Sequence, residues 1–327
     1  MTIFNPMQSA SQDKTIASPI LSVQNVGDAV FKYLTTFFAA LVLLLIIVMA
    51  YEMYVSSSLT IEKFGWSFLT STEWDPVTEQ YGALPFVYGT VVSSLIALIL
   101  ALPVGLGIAI FLTELSPLWL EKPLSFIVEL LAGIPSIVYG LWGFFVMVPW
   151  IRSTVEPFLS KHFGFIPLFE GAPYGVGMLA AGMILSIMIL PIIASISRDV
   201  LKSVPQAQKE AALALGSTRW EATRIALSYS RSGIVGATIL GLGRALGETM
   251  AVTMVIGNRP EIKLSLFEPG YTMASVLANE FTEATTEMYI SALIEIALVL
   301  FVVAILVNAV ARLLVWSFTR NTTEGQV

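Results

Sequence analysis

The sequence predicts an all-α polytopic membrane protein with six transmembrane helices and a structured loop between the fourth and the fifth. Its 327 residues are 56% hydrophobic and only 12% charged, whereas an ordinary soluble domain has about 25% charged residues. The apolar residues form long blocks, without the single stripe of a soluble surface helix and without the alternation of barrel strands. Because a segment in lipid must satisfy its own backbone hydrogen bonds, we expect each block to be a helix.

Six blocks are each long enough to cross a bilayer, which takes about 20 apolar residues in a helix. The predicted spans are Tyr33–Val55, Phe86–Thr113, Leu124–Trp150, Tyr174–Ser197, Gly233–Gly257 and Tyr289–Trp316. They divide the chain into an N-terminal tail, 1–32, a six-helix transmembrane domain, 33–317, and a C-terminal tail, 318–327, with the structured loop at about 198–232. Within the N-terminal region, Val23–Leu34 fits either a helix on the membrane surface or a flexible tail.

Lysine and arginine residues indicate the orientation of the chain, because they concentrate in cytoplasmic loops. With the N-terminus inside, eleven of them face the cytoplasm and five face outside. The cytoplasmic group comprises Lys14, Lys32, Lys122, Arg198, Lys202, Lys209, Arg219, Arg224, Arg231, Arg312 and Arg320, and the external group comprises Lys63, Arg152, Lys161, Arg259 and Lys263. We therefore expect both termini on the cytoplasmic side of a plasma membrane.

The composition leaves little for enzyme chemistry. There is no cysteine, and the single histidine, His162, cannot form a multi-histidine metal site. An enzyme within the membrane would lack the residues for a nucleophile with its base or for a metal site. The net charge of −6 argues against nucleic acid, which requires a basic face. We expect a non-catalytic chain in contact with membrane lipid that holds no cofactor of its own.

The loop at about 198–232 is too long and too regular for a simple connector. Gln206–Leu215 consists of strong helix formers, and Gly216 is the residue type that ends helices in the left-handed conformation. Ser217 and Thr218 then suit the cap of a second helix over Trp220–Leu227. The sequence predicts a helix–turn–helix that projects into the cytoplasm. Its apolar alanine and leucine side chains favour a docking surface, and the alternative is a solvated hairpin without a partner.

Within this loop, a short pattern resembles the EAA–Gly pattern of permease subunits of bacterial ABC importers: Glu210, Ala211, Ala212 and the later Gly216. The resemblance implies a fold like that of type I ABC importer permeases. It also implies that the loop carries a coupling helix, which docks in a cleft of a cytoplasmic ATPase. In that family the pattern continues to an isoleucine followed closely by Leu-Pro, whereas this chain has Ile-Ala-Leu-Ser from Ile225.

The fifth predicted span contains two charged residues, Arg244 and Glu248, at a spacing that places them on one helical face. An arginine at the centre of a span costs about 2.5–3.5 kcal/mol, so it is expected to face a cavity or a partner. One interpretation is an anion path, because the arginine fork matches oxyanions and the nearby carboxylate would weaken the hold on them. The other is a structural ion pair, with Gly243 and Gly247 as a helix-packing contact.

Two segments closely resemble the phosphate-specific members of the importer family: Gly241–Val252, GLGRALGETMAV, and Ala132–Phe145, AGIPSIVYGLWGFF. The N-terminal anchor helix and Ala274–Phe281 resemble the PstC type of permease subunit rather than the paired PstA type. This resemblance covers Tyr33–Trp316, almost the whole chain. It implies that the charged residues of the fifth span line a path for phosphate.

The same resemblance implies the partners of the chain. We expect a PstA-like second permease subunit, two PstB-like ATPase subunits that hold ATP and Mg, and an extracytoplasmic PstS-like phosphate-binding protein, in a bacterial inner membrane. The chain contains no GxxxxGK[ST] motif, so ATP hydrolysis is expected on a separate subunit. An importer of molybdate or sulfate is the alternative, and a secondary transporter is a more distant one.

Three further acidic residues, Glu52, Glu129 and Glu295, lie toward the ends of predicted spans. None has an obvious basic partner in the sequence, and Glu129 is expected near the cytoplasmic face. Pro103, Pro135 and Pro191 fall inside predicted spans, where a proline favours a kink or locally open backbone.

Overall fold

The computed structural model describes residues 26–323, and most of them are helical. The α-helices are α1 Val26–Ser56, α2 Ser58–Phe64, α3 Ser67–Thr70, α4 Leu84–Ile110, α5 Leu118–Ala132, α6 Ser136–Trp142, α7 Val148–Trp150, α8 Glu156–Phe163, α9 Met178–Lys202, α10 Gln206–Ala214, α11 Arg219–Tyr229, α12 Arg231–Leu246, α13 Met250–Val255, α14 Met273–Glu280 and α15 Glu287–Thr323. Turns of π-helix lie at Phe111–Leu115, Gly143–Met147 and Ile151–Val155, and a 3₁₀ turn lies at Pro167–Phe169. The described residues form only isolated β-bridges and no strand, which confirms the predicted all-α class. They divide into two compact units between Met49 and Ala50.

Four of the described helical segments are long and apolar enough to cross a membrane: Gly27–Ser56, Leu84–Leu115, Met178–Lys202 and Glu287–Leu313. Two bent helix pairs raise the number to as many as six: Trp119–Ala132 with Ser136–Phe163, bent by 91°, and Arg219–Tyr229 with Arg231–Leu246, bent by 66°. The polytopic architecture thus agrees with the prediction. Its third and fifth spans, however, differ from the single helices that were expected.

The third span is not one helix over Leu124–Trp150. Helix α5 ends at Ala132 and α6 begins at Ser136, with Pro135 immediately before it. A proline disfavours the helical conformation in the residue before it and removes a backbone donor, so the chain breaks at this point. Helix α5 packs against α9.

The prediction of one continuous helix over Gly233–Gly257 for the fifth span is also wrong. Helix α12 begins at Arg231 and ends at Leu246, and residues 247–249 are not helical. Helix α13 then starts at Met250. Gly247 has the low helix propensity expected at such an interruption.

Both predicted tails adjoin long helices. Helix α1 begins at Val26, so the described part of the segment Val23–Leu34 continues into the first span without a separate surface helix. At the other end, α15 runs to Thr323 and so extends into the predicted tail 318–327. Residues 1–25 and 324–327, including most of the predicted N-terminal tail, lie outside the described range.

Helices α4 and α9 form the centre of the larger core. Ala97 and Ala101 of α4 are buried together with Ile184 of α9. A Cβ atom on Gly182 would lie 2.4 Å from Cγ2 of Ile96, so the two helices approach too closely for a larger residue. Small residues at helix contacts are typical of membranes, where van der Waals packing rather than water drives association.

An aromatic core lies at the N-terminal end of α4. Glu280 accepts hydrogen bonds from Trp74 Nε1 at 2.8 Å and from the Tyr289 hydroxyl at 2.6 Å. Tyr81 stacks on Tyr289 with the ring centroids 5.7 Å apart. These contacts join the loop between α3 and α4 to the start of α15, and they fix that end of the helices.

We expect Gly89→Ala to destabilise the protein, because a Cβ atom at this position would lie 2.0 Å from the carbonyl oxygen of Tyr271. Overpacking of this kind costs about 1–3 kcal/mol. The matched control is Gly107→Ala on the same helix, where a Cβ atom meets nothing within 4 Å. The measurement is the thermal unfolding midpoint of the purified protein in detergent. Equal midpoints for the two variants would contradict the close approach of α4 to Tyr271.

Candidate functional site

The loop between α9 and α12 has the predicted helix–turn–helix form, and α10, α11 and their connection are called the hairpin (Gln206–Tyr229) from here on. Gly216 occupies the left-handed region with φ +86°, and the backbone N–H of Ser217 donates to the carbonyl of Ala212 at 3.2 Å. Thr218 caps α11 and forms a capping box with Glu221. The turn residues therefore perform the local roles that the sequence predicts.

The four residues of the EAA–Gly pattern have different environments. Glu210, Ala211 and Gly216 are exposed, whereas Ala212 is only 6% exposed and contributes to packing. The tip of the hairpin presents large apolar side chains to the outside, since Leu215 is 89% exposed. An exposed apolar tip is typical of a surface that a partner covers.

Ion pairs connect α9 and the hairpin to the segment that follows α4. Lys209 Nζ lies 2.5 Å from Glu114 Oε1, and both side chains are mostly buried. Lys202 pairs with Glu121. Because Lys209 belongs to α10 and Glu114 to the π-turn after α4, the first pair anchors the hairpin to the end of a membrane helix. Removing one partner of such a pair is costly, since it strands the other charge.

Glu129, for which the sequence suggests no basic partner, forms an ion pair with Arg198. The Nη2 atom of Arg198 donates to Glu129 Oε1 and to Asp199 Oδ1, each at 2.8 Å, and the arginine is 7% exposed. The helical spacing of the charged residues could have predicted the two ion pairs between α9 and α5, Arg198–Glu129 and Lys202–Glu121. Arg198 and Lys202 lie one turn apart on α9, and Glu121 and Glu129 lie about two turns apart on α5, so each helix presents two charges on one face.

Glu52 and Glu295 form no ion pair within residues 26–323. Glu52 is exposed. Glu295 is 6% exposed, and its Oε2 atom has no hydrogen-bond partner among residues 26–323. The single histidine, His162, lies in the last turn of α8 and contacts the carbonyl oxygen of Phe158 through Nδ1 at 2.9 Å.

Arg244 lies in the last turn of α12 and is exposed. Glu248 lies beyond the end of that helix, and its Oε1 atom accepts a hydrogen bond from the backbone N–H of Ala251 at 3.3 Å. The two side chains form no ion pair within the described part of the chain. Their expected position on one continuous helical face is therefore wrong, because the helix ends at Leu246.

Arg244 and Glu248 each lie at a helix end, where the helix dipole stabilises their charges although they do not pair with each other. Arg244 is at the C-terminal end of α12, and Glu248 precedes α13. Helix dipoles favour a cation at a C-terminus and an anion at an N-terminus, by about 0.3–1 kcal/mol each. Arg244 thus remains available to another group.

Ala237 and Gly241 of α12, the small residues on the predicted face of Arg244, pack within the chain. Ala237 is fully buried, and a Cβ atom on Gly241 would lie 3.0 Å from Cγ1 of Ile193. Within the described part of the chain, Gly243 makes no close helix contact, since a Cβ atom there would approach only Asn308, at 3.9 Å. The exposed side of α12 therefore carries the arginine, and its buried side faces α9.

The protein class follows from a comparison with known families. Residues 101–316 match the family described as "Binding-protein-dependent transport system inner membrane component", a stretch that includes both the hairpin and Arg244. The chain therefore belongs to the family of inner membrane components of binding-protein-dependent transport systems.

Three of the similar curated proteins are named "Phosphate transport system permease protein PstC". The chain is 48% identical to that of Mesorhizobium japonicum over 97% of each chain. It is 49% identical to that of Xylella fastidiosa, over 90% of this chain and 92% of the relative. The identity to the Haemophilus influenzae protein is 47%, over 88% and 93%. The chain thus groups with the PstC permeases.

Solved structures show the same fold at low sequence identity. The chain matches a structure titled as inward-facing MetNI methionine ABC transporter with a TM-score of 0.52 and 18% identity, over 72% of this chain and 94% of that one. A bacterial ABC transporter involved in the import of alginate matches with a TM-score of 0.50 and 17% identity, over 87% and 98%. These similarities concern the fold alone.

We expect Thr218→Ala to loosen the first turn of the second hairpin helix. The Thr218 side chain accepts from the backbone N–H of Glu221 at 3.3 Å, and loss of such a cap corresponds to about 2- to 30-fold faster exchange. The measurement is amide hydrogen exchange at Glu221 and Ala222. The matched control is Ser217→Ala, because within residues 26–323 the Ser217 hydroxyl makes no hydrogen bond.

The same cap predicts a pH dependence. Hydrogen bonds from Thr218 hold the pKa of Glu221 below its usual range. A group with a lowered folded pKa stabilises fully above its unfolded pKa, about 4.3 for glutamate, and loses that effect as pH falls through the folded value. Protection factors of the first turn of α11 should fall in acid, and unchanged factors would contradict the capping box.

Proposed function

We propose that this chain is the permease subunit of an ATP-driven phosphate importer in a bacterial inner membrane. The observation that carries the proposal is 48% identity over 97% of the chain with a phosphate transport system permease protein PstC. Such identity along the whole length includes the hairpin and the broken fifth span, so we infer the same substrate class. Uptake of labelled phosphate, with sulfate and molybdate as competitors, tests this directly. Equal competition by either anion would point to a different oxyanion.

The chain acts in this proposal as a non-catalytic half of a pore. A PstA-like second permease subunit forms the other half, and an extracytoplasmic PstS-like protein delivers phosphate. Two PstB-like subunits bind ATP and Mg and hydrolyse the nucleotide. The family description, which refers to binding-protein-dependent transport, supports an assembly of this type. The distribution of lysine and arginine supports a hairpin and termini on the cytoplasmic side.

We place Arg244 in the phosphate path. An arginine in contact with lipid is expensive, and this one is exposed on the isolated chain, so a second subunit or a water-filled path should cover it. The non-helical backbone at 247–249 supports the same location, because such backbone at membrane depth is tolerated only in protein or beside a cavity.

The local geometry suits transient binding of an anion. The guanidinium group presents paired N–H donors to phosphate oxygens. Because Glu248 is bonded to the backbone N–H of Ala251, phosphate would not have to displace a carboxylate from Arg244. The negative charge of Glu248 nearby still opposes long retention of an anion, which favours passage over storage.

Coupling to the ATPase is assigned to the hairpin. The exposed residues Glu210, Ala211 and Leu215 would contact the partner, while Ala212 and Gly216 maintain the shape of the hairpin. The pair Lys209–Glu114 ties α10 to the end of α4. Movement of the hairpin with the ATPase would therefore be passed to the membrane helices.

We expect Arg244→Gln to reduce phosphate uptake at least about tenfold, since a hydrogen bond to a charged group contributes about 1.5–3 kcal/mol. Arg244→Lys should recover only part of it, because the ammonium group lacks the planar fork. The control is Arg152→Gln, an exposed arginine outside the proposed path. Initial uptake rates are measured beside the abundance of the assembled complex. Normal uptake by Arg244→Gln would end the anion-path assignment.

We expect Leu215→Asp to weaken binding of the ATPase, because it places a charge on the exposed apolar tip of the hairpin. The matched control is Leu264→Asp, since Leu264 is also highly exposed, at 70%, and lies in a different loop. The measurement is co-purification of the ATPase with the permease from detergent extracts. Undiminished co-purification of Leu215→Asp would exclude the tip from the docking surface.

A further inference from the structure

A groove of about 600 Å³ opens between α9, α12 and α15, on a part of the chain that neither the hairpin nor Arg244 uses. Its lining includes Val200, Gly233, Gly236, Asn308, Arg312 and Trp316. A Cβ atom on Gly236 would meet nothing within 4 Å, so this glycine borders open space. The groove is thus a real opening beside α12.

The groove is amphipathic. Its side along α9 and α12 is apolar. Its polar groups come from α15, where Asn308 and Arg312 lie one turn apart on one face and Trp316 follows after another turn. The Nδ2 atom of Asn308 donates one hydrogen bond, to the carbonyl of Ala304 at 2.8 Å. The side chain therefore uses only part of its hydrogen-bonding capacity. A ligand that fits has an anionic head and an apolar body.

The depth of the groove in the membrane matches such a ligand. Helix α15 begins at Glu287, and Arg312 lies about 37 Å further along the helix at 1.5 Å per residue. The hydrocarbon core is about 30 Å thick, so Arg312 reaches the headgroup region of the far leaflet. Val200 and Gly233 lie within a few residues of the two ends of the hairpin. The groove therefore opens to the leaflet on the hairpin side.

We infer that this groove binds an anionic phospholipid from the hairpin-side leaflet. The headgroup phosphate lies on Arg312, which offers paired donors to phosphate oxygens, and Trp316 sits at the depth that interfacial aromatic residues prefer. One acyl chain follows the apolar wall past Gly236. The charge at one end and the apolar wall along the rest favour a lipid over a protein helix. This inference does not depend on which anion the pore carries.

The test uses the complete complex, extracted from the membrane with its surrounding lipid and analysed by native mass spectrometry after mild delipidation. Phosphatidylglycerol is the anionic probe, and phosphatidylethanolamine is the zwitterionic comparison. We expect the wild-type complex to retain phosphatidylglycerol selectively. Arg312→Gln should lower that selectivity roughly fivefold, the effect of one basic residue near an anionic surface.

A second variant tests the apolar part of the groove. Gly236→Leu should fill it and reduce retention of both lipids, because the Cβ atom at this position enters open space. The matched control is Gly107→Leu on α4, where a Cβ atom also meets nothing within 4 Å; it should retain lipid as the wild type does.

Three outcomes would overturn the inference. The first is equal selectivity of the wild type and Arg312→Gln. The second is unchanged lipid retention by an assembled Gly236→Leu complex. The third is a Gly236→Leu variant that loses the second permease subunit while Arg312→Gln keeps wild-type lipid selectivity. That last result would assign the groove to a protein interface instead.

Discussion

The backbone N–H and C=O groups impose the constraint on which the rest of the structure depends, because lipid offers them no hydrogen-bond partners. Long uninterrupted helices such as α4, α9 and α15 satisfy them internally. Interruptions then become informative. The break before Ser136 ends at Pro135, whose backbone cannot donate, and the break at 247–249 lies close to Arg244. Non-helical backbone and a charge without an ion pair in the described chain thus occur side by side.

Charges in and near the spans fall into two groups with different physical roles. Arg198, Lys202 and Lys209 are paired with carboxylates, and the burial of Arg198 and Lys209 makes their pairs costly to break. These contacts make α9, the hairpin and the segment after α4 one connected unit. Arg244 forms no ion pair within residues 26–323, which is compatible with the anion path proposed above.

The hairpin has a base that is held by an ion pair and a tip that is exposed. Its shape is set by local chemistry at the turn, where Gly216 supplies a positive φ and Thr218 caps the second helix. Its base is held by the pair Lys209–Glu114. At its tip, Leu215 is almost fully exposed and is not buried against the rest of the described chain. This combination of a fixed base and an exposed tip suits the coupling role proposed above.

The sequence by itself determined the features that depend on local chemistry or on bulk apolarity: the helical class, up to six spans, and the turn at Gly216 with the cap at Thr218. Only the tertiary structure decided which charges meet. Glu129 and Arg198 are distant in the chain and become partners because α5 packs against α9. The spacing of Arg244 and Glu248 predicted a shared face, but that inference assumed a continuous helix. A span can break only where protein or water surrounds the backbone groups that leave the helix. The periodicity of a sequence carries no information about those surroundings.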